Sequence, residues 1–327
     1  MDTVLITGGA GFIGRHVTQR LLERGHHVRI LDPLIDQVHQ GKRPDDLSPD
    51  AELIVGDVRD ADTLERALQG IDAVIHLAAE VGVGQSMYAV ERYVSVNDLG
   101  TAALFQALIK RNVRRVVVAS SMSIYGEGLY RTADGTRVQN AARAPRLSAE
   151  ASWDPLDAEG RPLIPVATPE WKQPSLASVY ALTKYVQERL TLTLSAAYGM
   201  EGVALRLFNV YGPGQALSNP YTGVLAIFAA RLLNGQRPLV FEDGHQRRDF
   251  VHVSDVARAF AMALEEPAAA GEVFNVGSGQ DRSILEIGQR LAEAMGRPDL
   301  APEAVGKARA GDIRHCFCDA TKASSRL

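Results

Sequence analysis

Tyr180 and Lys184, four residues apart in the run YALTK, share one side of any helix that carries them. A phenol ordinarily ionises near pH ~10. A neighbouring ammonium lowers that value and makes the oxygen a usable base. The two are therefore either an acid–base couple or two residues that happen to share a helix face. A second set of residues is suited to phosphate. TGGAGFIG carries Gly9, Gly11 and Gly14 at G-x-G-x-x-G spacing, and with Thr7 and Gly8 it also reads T-G-x-x-G-x-x-G. Glycines so placed let the backbone turn sharply, approach a pyrophosphate and pack a helix on a strand. The helix N-terminus then offers amides and partial positive charge. Asp32, in RILDPL, stands where a carboxylate can hold two ribose hydroxyls and repel a 2′-phosphate, which favours NAD over NADP. Its other reading is a turn aspartate ahead of Pro33.

These groups need elements to hold them. TVLITGG reads as a strand and its turn, and FIGRHVTQRLLERG has apolar residues at helical spacing and ends on Gly25. Further strands are expected at HVRILD, AELIVGDVRD, DAVIHLAA and VRRVVVASS, with helices at DTLERALQG and VNDLGTAALFQALIKRN between them. Alternating strands and helices, with near-continuous Val/Ile/Leu runs in the strands, predict a parallel sheet covered on both faces. Residues 128–177 break the pattern: the segment is rich in Pro, Ala, Asp and Arg, holds Trp153 and Trp171, and reads as having little regular structure. The helix SVYALTKYVQERLTLTLSAAYG follows, then the strand GVALRLFNVYG. Later, RRDFVHVSDVARAFAMALEE reads as a return to the sheet, and EVFNVGSG as another strand and turn. No internal repeat is present.

The bulk numbers exclude several classes. The 327 residues suit two domains, or one domain with a lobe, and 46% hydrophobic with 23% charged residues is ordinary for a globular enzyme. A net charge of −4 gives no reason to expect nucleic acid or an anionic membrane surface. The only cysteines, Cys316 and Cys318 in CFC, make neither a disulfide framework nor half of a zinc site, so no metal is expected. They read as two small residues on one face of a late strand. No apolar run approaches a membrane span, and MDTVLITGG reads as a strand and turn rather than a leader. The chain is expected to be cytoplasmic. It stops at DATKASSRL, which reads as the start of a helix and leaves room for a longer gene product.

In TGGAGFIG, GDVRD, HLAA, VNDLGT, SSMSIYG, YALTK, LRLFNVYGPGQ, RRDFVHVSDVA, FNVGSG and AGDIRHCFCDATKA, the sequence resembles an extended short-chain dehydrogenase/reductase. More narrowly, it resembles the NAD-dependent nucleotide-sugar epimerase/dehydratase group, and most of all the nucleotide-hexose 4-epimerases acting on UDP-glucose or dTDP-L-rhamnose. The resemblance implies an α/β fold, a doubly wound parallel (Rossmann) sheet with a smaller C-terminal substrate lobe. Residues 1–210 would form the NAD domain with 128–177 inserted, and 249–266 would revisit it. Residues 211–248 and 267–327 would form the nucleotide-sugar lobe.

The resemblance also assigns roles. Ser121, Tyr180 and Lys184 are the implied catalytic set. Gly8, Gly11, Phe12, Ile13, Gly14, Asp32, Asp57, Val58, Leu77, Ala78, Ala79 and Asn97 would bind NAD together with Tyr180 and Lys184. Lys184 would hold the nicotinamide ribose and lower the phenol pKa. On the substrate side, Asn209 would contact the diphosphate or sugar, Arg248 and Arg309 the phosphates, and Asp312 the nucleoside ribose. Val83, in VGVGQSMY, would line the sugar site with Ser121, Met122, Ser123 and Tyr180, and Cys316 would set the room beside the sugar. Helices 97–111 and 178–198 would pair into a four-helix homodimer interface.

The implied chemistry is oxidation at C4 of a nucleoside-diphosphate hexose to a keto-sugar. Dehydrating relatives place acidic side chains after the active-site hydroxyl. Here Met122 and Ser123 occupy those places, and neither serves as a general acid or base near neutral pH. Re-reduction from the other face, a 4-epimerisation, is the expectation. A keto-sugar reductase or 4,6-dehydratase, and more remotely a non-catalytic nucleotide-binding protein, are the alternatives.

Overall fold

The computed structural model describes residues 1–143, 152–216, 223–308 and 312–327. Seven strands form the main sheet: β1 (Thr3–Thr7), β2 (His27–Asp32), β3 (Glu52–Val55), β4 (Ala73–His76), β5 (Arg115–Ser121), β6 (Glu201–Leu207) and β7 (Val273–Val276). Their order is β7-β6-β5-β4-β1-β2-β3, and every pairing is parallel. The strand order reverses between β1 and β4, where open α/β sheets bind their ligands.

The side-chain period of two splits each strand between two cores. Val4 and Ile6 of β1, Ala73 and Ile75 of β4 and Val117 of β5 pack with Val17 and Leu21 of the Phe12–Glu23 helix and Phe260 of the Val253–Glu265 helix. Leu5, Val74 and Val116 face the other way, onto Leu64, Leu104 and Phe105 from the Ala61–Ala67 and Gly100–Leu108 helices. The doubly wound sheet is thus as the sequence predicts.

Three assignments change. Val273–Val276, expected in the C-terminal lobe, is the seventh strand of the main sheet, because Phe274 and Val276 complete its core beside β6. The return at 249–266 is made by the Val253–Glu265 helix. The strand before it, Arg247–His252, lies in a separate small sheet with Asn209–Tyr211, Asp281–Ser283 and His315–Cys316. Within 128–177, three short antiparallel strands form where little structure was expected: Leu129–Arg131 pairs with both Arg137–Val138 and Ile164–Val166. Part of that segment, 144–151, lies outside the described residues. Cys316 lies in the late strand, Cys318 bridges to Thr168 just beyond it, and both thiols are free and buried. Thr321–Arg326 is helical, as its sequence suggests. No helix among the described residues is long and apolar enough to cross a membrane.

Candidate active site

A cleft of about 780 Å³ opens at the carboxyl ends of the central strands. Its floor is the glycine turn after β1. Gly8 sits at φ 72°, and a Cβ there would come within 2.8 Å of the Ala78 backbone nitrogen. A Cβ on Gly14 would come within 2.6 Å of Gly9, so the helix can pack this closely only without a side chain. No side chain caps the Phe12–Glu23 helix at Gly11, and its first amides stay available at the cleft. Gly8, Gly11, Phe12, Ile13 and Gly14 all line the cavity.

Asp32, at the end of β2, is buried. One carboxylate oxygen accepts from Ala10 N at 3.1 Å and the other from Leu34 N at 2.9 Å. Burial pushes this carboxyl above its ordinary value, against the pull of those amides and of His39, whose Nε2 lies 3.6 Å away. Asp32 closes a turn at Leu34 (φ 50°), and it also lines the cleft. Asp57 and Val58 line the same end. Arg59 donates to Asp57 from Nε at 2.9 Å and holds that carboxyl below its usual range. Leu77, Ala78 and Ala79 form the wall after β4. An uncapped helix N-terminus, a glycine floor and a buried carboxylate at the end of β2 together fit a dinucleotide.

The chemistry-bearing residues meet at the other end of the cleft. Ser121 is the last residue of β5, and Met122 and Ser123 begin a short 3₁₀ turn. The helix Val179–Ala197 is capped by Ser178, whose Oγ accepts from Ala181 N at 3.1 Å, and it presents Tyr180 and Lys184 on one face. Ser121 and Tyr180 both line the cleft, where the serine hydroxyl pulls the phenol pKa down, while Ser121 Oγ itself donates to Ser123 Oγ at 3.1 Å. Lys184 is buried and donates from Nζ to Gln187 Oε1 at 2.7 Å. Burial pushes its pKa down to about 7, against the opposing charge of Glu188.

The phenol differs from expectation. Tyr180 lies above its ordinary value, because burial outweighs the pull of the Ser121 hydroxyl, and Lys184 is turned toward Gln187. The Tyr–Lys spacing by itself therefore does not bring the phenol below its ordinary value.

Val83 and Asn209 also line the cleft. Asn97 lies behind its wall. The helical passage that carries it widens to a π-turn over Val94–Leu99, and Asn97 accepts from Glu80 N at 2.7 Å and donates to Thr183 Oγ1 at 2.9 Å. Arg248 is outside the cleft wall and donates to the carbonyls of Arg247, Ile313 and Arg314. Asp312 is also outside it, its carbonyl oxygen accepting from Arg143. Cys316 packs behind Met122 with Tyr125 and Phe208. Arg309 lies outside the described residues. Among the described residues, no group of His, Cys, Asp and Glu could hold a metal ion.

Sequence reasoning missed three residues. Tyr93 stands edge-on to Tyr180 with centroids 6.4 Å apart, and its hydroxyl holds the glycine loop through Val81 O at 2.7 Å and Gly82 O at 3.0 Å. His39 faces Asp32 from the short helix Asp36–His39. Gln187 holds Lys184. The last alone left a sequence signal, a position one turn past Lys184 on the same helix.

The sequence pattern of the NAD dependent epimerase/dehydratase family matches residues 4–145 and 160–277. The chain is 38% identical to dTDP-L-rhamnose 4-epimerase of Burkholderia thailandensis over 330 aligned residues, covering 99% of this chain and 89% of that one. The crystal structure of UDP-glucose 4-epimerase with UDP-glucose from Thermotoga maritima superposes with a TM-score of 0.80 at 30% identity, over 99% of this chain and 91% of that one. UDP-glucuronic acid 4-epimerase from Bacillus cereus, in complex with UDP-glucuronic acid and NAD, gives 0.81 at 28% identity, over 99% and 92%. The pattern match spans most of both the sheet and the cleft built on it, and the chain belongs to the NAD dependent epimerase/dehydratase family.

Proposed function

We propose that this chain is an NAD-dependent nucleotide-sugar 4-epimerase. The observation that carries the reading is the meeting of Ser121, Tyr180 and Lys184 in the cleft, with Met122 and Ser123 where an acid would be needed for dehydration. Tyr180 takes the proton of the C4 hydroxyl, and Ser121 hydrogen-bonds the same oxygen. Lys184 places positive charge beside the site. NAD, when bound, would supply the oxidant for C4 and the reductant for the return step. Gly8, Gly11, Gly14 and Asp32 would hold it, and the Tyr180 proton goes back to the sugar oxygen when the cycle closes.

The carboxylates near the cleft are already engaged, which argues against elimination. Asp32 and Asp57 belong to the adenosine end, and Glu80 is paired with Arg92 at 2.8 Å. In the inserted segment, Asp154 is held by Arg314 and His315, and Asp157 by Arg161. Incubation of the right nucleotide-hexose in heavy water should give the C4 epimer with no deuterium at C5 and no loss of mass. The same ratio should be reached from either epimer, with no accumulation of NADH. Deuterium at C5, or a product lighter by one water, moves the chain to the dehydratase branch. Stoichiometric cofactor consumption moves it to the keto-sugar reductases.

The same reading includes a homodimer working in the cytoplasm, where its two thiols stay reduced. Leu99 and Leu182 lie on the two helices expected to pair and are exposed at 58% and 46%. Sedimentation equilibrium should return twice the 35.3 kDa of one chain, and Leu182→Glu should return a single chain. A parent protein that sediments as a monomer removes the dimer from the reading.

A further inference from the structure

Gln187 is fully buried one turn beyond Lys184, and its amide cannot turn over. Its Nε2 lies 3.2 Å from Ala78 O and 2.9 Å from Thr101 Oγ1. A carbonyl can only accept. The Thr101 hydroxyl proton is already given to Asn97 O at 2.6 Å, so Thr101 also accepts from Gln187. Both neighbours therefore demand the NH₂ end, whichever tautomer His76 adopts beside them. The amide oxygen is left facing Lys184 Nζ at 2.7 Å. A flipped amide would set NH₂ against an ammonium and leave Ala78 O without its donor.

We propose that Gln187 is a positioning residue, which uses this fixed amide to hold the Lys184 ammonium in place, and in its charged form, beside Tyr180. The proposal rests on the reading of Tyr180 and Lys184 as the working pair. Gln187 takes one of the three ammonium protons and leaves two for the cleft that Lys184 lines. It anchors that amine to the end of β4 through Ala78 and to the Gly100–Leu108 helix through Thr101. Lys184 is thus aimed in part by Ala78, a residue of the cleft wall itself. Other ionisable groups face this amine as well. Tyr180 is one turn away, and Glu188 is already paired with Arg206 at 2.7 Å. His76 is kept neutral by burial, its pKa pushed down to about 3. None of these replaces the amide as the hydrogen-bond acceptor.

The test is a proton titration of the full-length protein labelled with ¹³C at the lysine ε-carbons, followed by NMR. Lys184→Arg identifies the Lys184 signal, which should titrate near pH ~7 in the parent, well below ordinary lysine. Gln187→Met keeps the length of the side chain but removes the acceptor. It should move the Lys184 midpoint down by about one unit or more, since a hydrogen bond to a charged group has been lost. Gln187→Glu should move the midpoint up, because a carboxylate favours the ammonium. Movement in both directions supports the proposal even if no nucleotide-hexose is turned over, so the readout stands apart from the epimerase assignment. A midpoint unmoved in both variants overturns it.

Discussion

Tyr180→Phe is expected to lower turnover by at least about 10²-fold, the low end for a general acid–base group, while cofactor affinity stays near the parent value. Phenylalanine keeps the ring that stands edge-on to Tyr93 and loses only the oxygen. Ser121 keeps its bond to Ser123 Oγ at 3.1 Å, so the local fold survives. What disappears is the oxygen proposed to take the C4 proton. The pH profile should change in kind as well as in height. In the parent, burial holds the phenol above its ordinary value, so the rate should climb with pH as Tyr180 is deprotonated. The variant should lack that rise. Epimerisation rates across pH, with a fluorescence titration of NADH at one pH, check both parts. Full turnover in the variant would reduce the Tyr–Lys pair to packing.

Arg206→Met is expected to destabilise the fold by about 3–5 kcal/mol, the cost of leaving a buried partner charge uncompensated. Arg206 and Glu188 are both buried, and their side chains meet through two bonds of 2.7 and 3.0 Å. The guanidinium also donates to Tyr125 at 2.8 Å and to the Glu170 carbonyl at 3.0 Å. With methionine there, Glu188 keeps only the Ser120 hydroxyl at 2.6 Å. The deficit should shrink on acidification, because a protonated carboxyl costs less to bury than a carboxylate. Arg206→Met combined with Glu188→Met should recover much of the loss, since no charge is then stranded. Urea unfolding of the three proteins at two pH values checks this. A single variant as stable as the parent would mean that water reaches Glu188.

The parts readable in the sequence are those set by local rules. Each strand of the main sheet shows as a short Val/Ile/Leu-rich run, and the glycine turn shows because backbone geometry forces the residue type. Tyr180 and Lys184 show because helical spacing is periodic. What could not be read depends on pairing at a distance. VFNV carries no mark that sends it to the sheet rather than the lobe, because Phe274 finds its core only against β6. The upward shift of Tyr180 is likewise tertiary, since burial depends on walls drawn from several elements. Gln187 gets its meaning from Ala78 and Thr101, more than eighty residues earlier in the chain.

The charges around Arg314 have a consequence for how this protein can be altered. Arg314 is almost fully buried and is met by Asp154 at 2.6 Å, Glu242 at 2.9 Å and Asp243 at 2.6 Å. Glu127 takes the Arg314 amide at 2.7 Å, and Arg143 reaches both Glu127 and Glu242. Glu127, Arg143 and Asp154 come from the insertion and the turn leading into it, whereas Glu242, Asp243 and Arg314 come from the far end of the chain. The insertion is therefore not a detachable module. Cutting it out would leave an arginine in the interior facing two carboxylates with its third partner gone, and grafting it onto a relative would carry carboxylates with nothing to meet them. Any recombination of this chain with its relatives has to exchange the insertion, the Glu242–Asp243 turn and the 312–316 strand region as one block.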